Sequence, residues 1–308
     1  MEIDKITQQV LDVIDEEGFK QEGAYNLRQN GYALCHGDTE HIKIKKRTDG
    51  HQGIDVYISS EAKDETVHIP VVVTNSGVTD LVYNDFYVED GASVTIVAGC
   101  GIHNSGCNDS RHDGVHSFHI GKGANVTYTE KHYGAGEGTG ARILNPVTNI
   151  YLKEDAVFTL DTAQIEGVDS TDRKTHVELL EGAKIIVTER LMTHDKQTAV
   201  SDMDVVLAGT GSSAQIISRS VAKGESVQSF HPKAIGNAGC HAHIQCDSII
   251  MEKAKVASIP EINANHIDAA IIHEAAIGRI NNDQMMKLQT LGLSEEEAEK
   301  VIVEAFLN

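Results

Sequence analysis

Two kinds of periodicity divide the chain. Near its start, Ile6, Val10, Leu11, Val13 and Ile14 recur at helical spacing between Asp4 and Gly18, which predicts one amphipathic helix stopped by the glycine. From about residue 31 to residue 280 the apolar positions fall instead in short β-branched runs, among them YISS, VHIPVVVT, SVTIVAG, NVTYTEKH, VFTLDTAQI and KIIVTERLM, separated by glycine and acidic turns. The end is helical again. Met285, Met286 and Leu288 fall within 282–290, and Ser294 with Glu297 makes a capping-box signature ahead of EEEAEKVIVEAFL. Val301, Ile302, Ala305 and Phe306 share one face of that last helix, suited to packing on the body or to docking a partner. The pattern predicts three segments: a helical 1–30, a β core over 31–280 and a helical 281–308.

Within the β segment one phrase recurs, a charged residue, usually glycine, then alanine, then a strand. It stands as EDGASVTIV, GKGANVTYT, KEDAVFTLD, LEGAKIIVT and, more loosely, MEKAKVASI. Anchored on Ala92, Ala124, Ala156, Ala183 and Ala254, the gaps are 32, 32, 27 and 71 residues, the last long enough for two or more repeats. Self-similarity at this period suggests a β solenoid in which each coil buries its apolar face on the next. A β sandwich with regularly spaced hairpins is the alternative reading of the same turns.

Composition narrows the function classes. The balance of 23% charged and 40% hydrophobic residues is that of a globular chain. A formal charge of -20 repels phosphate backbones, which excludes nucleic acid as a partner. No apolar run approaches the roughly 20 residues of a membrane helix, and the first residues lack the order of a signal peptide, so no membrane and a cytoplasmic location are expected. Five cysteines, an odd count, point to free thiols or metal ligands.

Two enzymatic motifs fail on inspection. GAGEGTGAR, residues 134–142, does not match a nucleotide-binding P-loop and reads as a flexible loop. His273-Glu274 begins like a zinc-protease motif, but Ile277 stands where the second histidine belongs. Two Cys/His clusters remain. Cys100, His103 and Cys107, followed by His112, His116 and His119, supply ligand types for zinc or iron, or else form a plain polar insertion. In GNAGCHAHIQCDSII, strand alternation puts Cys240, Ala242, Ile244, Cys246 and Ser248 on one face, so Cys246 points inward, either as a small buried hydrophobe or as a ligand. One repeat further on lie His273 and Glu274. Cys246, His273 and Glu274 thus form a mixed candidate set for iron or a cluster.

From Cys246 to Leu307 the chain resembles the C-terminal signature of the SufB/SufD family of iron–sulfur cluster assembly scaffolds, and the Gly-Ala turns extend the resemblance upstream to about Gly31. The resemblance implies a mainly β fold, a right-handed parallel β-helix with short helical ends. It also implies a dimer formed through the cores and a SufC-like ATPase docked on the C-terminal helices. The matching positions for the assembly site are Cys246, His273 and Glu274, holding a nascent iron–sulfur cluster destined for recipient apoproteins. Four features depart from the family pattern: the short N-terminal part, Ile272 in place of a glutamate, a segment between Cys246 and Pro260 that is one residue short, and the histidine-rich stretch after Cys100. The expected role is a non-catalytic scaffold working as a homodimer. The rival readings are a metalloenzyme with mononuclear zinc or iron on Cys100, His103 and Cys107, and a purely structural solenoid.

Overall fold

A computed structural model describes residues 3–15 and 18–307. Among these residues the chain alternates between two long sheets of ten and eleven strands, which make a parallel β-solenoid of about eight turns with three short terminal helices. The ladder is regular. On one sheet Val94 pairs with Val126, Val126 with Phe158, Phe158 with Ile185, and the column continues through Ala214, Ala242 and Ile271. All of these face inward, where strand alternation delivers every second side chain to the core. Phe86 and Phe118 stack at 4.6 Å between ring centres, and each fully buried ring of this kind contributes about 1.5–3 kcal/mol. The parallel ladder already begins at the strand Ala24–Gln29, ahead of residue 31.

The repeated alanine marks one corner of each coil. There the amide after each corner donates to the corner carbonyl of the preceding coil, from Asn125 on Ala92 through Val157 on Ala124, Lys184 on Ala156 and Ser213 on Ala183. The series then runs on through His241 on Ser212 and Ala270 on Cys240. Ser212 and Cys240 thus take the place of alanine, which explains the long gap. Ala254 belongs to the opposite corner, ahead of the strand Lys255–Ser258.

Helix α1, Lys5–Ile14, is capped by Asp4, whose side chain accepts from the amides of Ile6 and Thr7. It ends before Gly18, and residues 16 and 17, within the predicted helix, lie outside the described residues. Val10, Leu11 and Ile14 press onto the strand Ser93–His103 so closely that a Cβ on Gly99 would stand 2.7 Å from Ile14 and one on Gly101 2.1 Å from Val10. Side chains at these two positions would lift the helix off.

Two expectations need correction. The glycine-rich stretch is pinned, not flexible: the amide of Gly138 donates to Asn104 O at 3.0 Å and that of Gly140 to Gly106 O at 3.1 Å, so it stacks on the insertion of the preceding coil. The histidine-rich stretch is mostly strand. Ser110–Ile120 sends His112 and His116 inward, while His119 stacks outside between Tyr87 and Tyr151 at 5.0 and 5.4 Å.

The lumen is therefore partly polar. Asp80 holds Arg28 at 2.8 Å and His112 at 3.0 Å; these two outweigh the burial that would raise its carboxyl and keep it well below the usual range. Burial lowers His116 to about 4, so the folded protein keeps it neutral while the unfolded chain protonates near the ordinary histidine value. Its share of stability is complete above that value and is lost as pH falls toward 4. Between neutral pH and about pH 5 the wild type is expected to lose about 2 kcal/mol that His116→Phe does not lose, measured as the difference in urea midpoints across pH.

Candidate functional site

The strand His241–Ile250 directs Ala242, Ile244, Cys246 and Ser248 into the lumen, as alternation requires. Cys246 is 2% exposed. The next strand of that sheet, Ala270–Gly278, closes the coil in parallel register, Ile244 opposite His273 and Gln245 opposite Glu274. From its diagonal position the His273 ring reaches Cys246, Nε2 lying 3.2 Å from Sγ. Burial pushes the Cys246 thiol up to about 11, with the Ser258 hydroxyl beside it pulling the other way. Burial also lowers His273. The resting pair is thus a thiol beside a neutral imidazole, and iron could displace the thiol proton only with an opposing charge to supply the drive.

Glu274 lies elsewhere. One residue along a strand reverses the face, so its exposed carboxylate sits outside the sheet with Oε2 3.6 Å from His243 Nε2. The structure therefore brings Cys246 and His273 together and leaves Glu274 on the other side, and the three do not converge within one chain. The second candidate set is also scattered. Cys100 faces inward among Val71, Val73 and Ile102, with burial raising its thiol; His103 bonds the Ser105 hydroxyl at 2.9 Å; Cys107 is exposed on the insertion 104–109. Among the described residues no group of three or more His, Cys, Asp or Glu side chains is placed to hold one metal ion.

Sequence reasoning missed the surroundings of Cys246. Residues in register with it form an inward column, Ala98, Glu130, Thr162, Glu189, Ser218 and Cys246, that is polar for most of its length. Glu189 accepts from Ser201 at 3.0 Å and from Ser218 at 3.1 Å, and Arg173 crosses from the other sheet to Glu130 at 2.8 Å. The available signal was charge at inward positions of strands whose alternation was already legible.

The edges of this region are open. Ala270–Gly278 ends its sheet, and Ile272 and Ile277 are exposed on it. Beyond it α2, Asn282–Thr290, leads to α3, Glu295–Leu307, whose capping box is reciprocal: Ser294 N donates to Glu297 and Glu297 N to Ser294 Oγ. Val303 and Leu307 pack α3 against Val221 and Met251, with Phe306 at the margin, and Lys223 bonds Glu299 at 2.7 Å. Val301 and Ala305 face outward, so the docked face is not the one formed by Val301, Ile302, Ala305 and Phe306.

Residues 73–306 match the family described as SUF system FeS cluster assembly, SufBD core domain. An iron-sulfur cluster assembly SufBD family protein of Methanothermobacter thermautotrophicus is 27% identical over 230 residues, 73% of this chain and 55% of the relative. A Methanocaldococcus jannaschii member is 25% identical over 274 residues, covering 88% of this chain and 85% of the relative, and a Synechocystis member is 27% identical over 71% and 47%. The chain thus spans about half the length of some relatives and most of another. With the family match covering most of its length and the solenoid in place, this chain belongs to the SufBD family of iron–sulfur cluster assembly proteins.

Proposed function

We propose that the chain is a scaffold on which iron and sulfide are joined, with Cys246 as sulfur acceptor or cluster ligand and His273 as its iron-binding neighbour. The observation that carries this reading is the 3.2 Å contact between Cys246 and His273 in the last complete coil. Glu274, on the outer face of an edge strand, is available to a second copy: pairing two Ala270–Gly278 edges about a two-fold axis would cover the exposed Ile272 and Ile277 and make a homodimer. Cys100, His103 and Cys107 remain at most an accessory set. Anaerobically purified protein should carry iron and labile sulfide in near-equal amounts; zinc or iron without sulfide would favour the metalloenzyme, and neither would favour the purely structural solenoid.

In this reading the buried Cys246 site opens to receive iron and sulfide, and a separate ATPase drives the opening, since no P-loop motif stands in the sequence. A SufC-like ATPase docks, in this reading, on the outward faces of α2 and α3 and the turn between them, where Met286, Val301 and Leu291 are exposed. Val301→Glu places a charge in that surface without disturbing the packing of Val303 and Leu307. It should weaken co-purification with the ATPase at least tenfold and leave thermal unfolding unchanged. Full binding by this variant would move the docking site elsewhere.

A further inference from the structure

On the lumen side Cys246 lines a cavity of about 20 Å³ together with Glu189, Ser218, Gln228, Ser248 and Ser258. Most polar atoms around it are already paired. Ser218 donates to Glu189, Ser248 bonds Ser220 at 2.9 Å, and the Gln228 amide donates to Thr193 Oγ1 and to Val221 O, both at 2.9 Å. Two atoms are left over. Gln228 Oε1 is buried without a hydrogen-bond partner, Gln228 being only 3% exposed, and the buried Ser258 Oγ has no neighbour to bond except the Cys246 thiol beside it. A stranded acceptor in a small cavity costs stability unless something there completes it. The volume admits one water-sized atom, and the Glu189 carboxylate in the wall disfavours an anion.

We propose that this cavity is a one-sulfur pocket that receives the terminal sulfur of a persulfide formed on Cys246, its S–H donating to Gln228 Oε1 and its lone pair accepting from Ser258 Oγ. This deepens the scaffold reading and rests on it. The ligand class is sulfane sulfur delivered by a persulfide donor. The Cys246 thiol gives its proton to His273 Nε2, 3.2 Å away, as its sulfur attacks the donor's outer sulfur; a Cys246 S–S bond forms, the donor's S–S bond breaks, and the donor leaves as its thiolate. The sulfane sulfur is itself the oxidant, so no further electron acceptor is required. Ser258 is then a positioning residue. It ends the strand Lys255–Ser258, opposite Phe230 on the neighbouring strand, which fixes its side chain over the cavity.

The test loads the full chain anaerobically with hydrogen disulfide ion, removes the reagent and follows the added sulfur on the Cys246 peptide by mass spectrometry. Ser258→Thr and Ser258→Val have nearly the same shape and differ in the hydroxyl, so both should keep the circular dichroism of the parent. The wild type and the threonine variant should retain the sulfur, and the valine variant should lose it about tenfold faster, the effect of one hydrogen bond. Equal loss from the threonine and valine variants would overturn the pocket, as would a wild-type Cys246 that takes up no sulfur while clusters still assemble; the cavity would then hold water only. Either result leaves the scaffold reading standing, because that reading is tested separately, by the iron and labile sulfide of the purified protein and by cluster assembly on Cys246→Ser.

Discussion

Reconstituted anaerobically with iron and sulfide, the Cys246→Ser protein should form no cluster, while the wild type forms one in good yield. Serine is nearly isosteric with cysteine, and the 2% exposed site sits in a closed strand register, so the solenoid and its helices should remain folded. What is removed is the sulfur. A hydroxyl neither ligates iron as a thiolate does nor carries sulfane sulfur. His273→Ala should also lower the yield at least tenfold, since its Nε2 stands 3.2 Å from the sulfur. Cys107→Ser, on the exposed insertion, should leave the yield intact. Assembly at the normal yield by Cys246→Ser would make that cysteine a buried hydrophobe and send the search to Cys100.

Alternation and repetition carried most of the fold. The inward face Ala242, Ile244, Cys246 and Ser248 is legible because a strand has period two, and the spacing of the corner alanines reports the coil because each coil must place a small residue at the same turn. Where Ser212 and Cys240 replace alanine the repeat fades, although the hydrogen-bond ladder continues through both. The partnership of Cys246 with His273 follows from the coil length. The separation of Glu274 follows from alternation and was lost when ligand spacing was counted along the chain. The glycine and aspartate around His112 hide its strand, because the inward placement of His112 and His116 depends on pairing with strands of neighbouring coils, which local pattern does not contain. Two apolar faces compete on α3, and Val303 and Leu307 win because Val221 and Met251 are there to receive them.

The largest stability effect is expected at Arg173, whose guanidinium spans the lumen with Nη1 2.8 Å from Glu130, Nε 3.6 Å from Glu189 and Nη2 3.3 Å from His132. Arg173→Met leaves two buried carboxylates without their cation and should cost about 3–5 kcal/mol at neutral pH. The pH dependence follows from Glu130. In the wild type burial pushes its carboxyl up, but His132 and Arg173 outweigh that and hold it well below the usual range. Its contribution is therefore complete above the ordinary carboxylate value and lost only as pH falls through the lowered one. In the variant burial acts with less opposition, the Glu130 pKa rises, and protonation relieves the strain, so the deficit should narrow as pH drops from neutral toward about 5. Adding Glu130→Gln to Arg173→Met should recover more than about 1 kcal/mol, because the amide can still accept from the Tyr128 hydroxyl, now 3.0 Å from the carboxylate. Since each coil of a solenoid contacts only its neighbours, the loss should be local. Hydrogen exchange should accelerate in Asn125–Ala135, Ser170–Leu179 and Lys184–Thr193 and stay slow in His241–Ile250. A loss below about 1 kcal/mol would mean that water already solvates these charges; a full loss would mean that the charged column in register with Cys246 is dry and held together by one guanidinium.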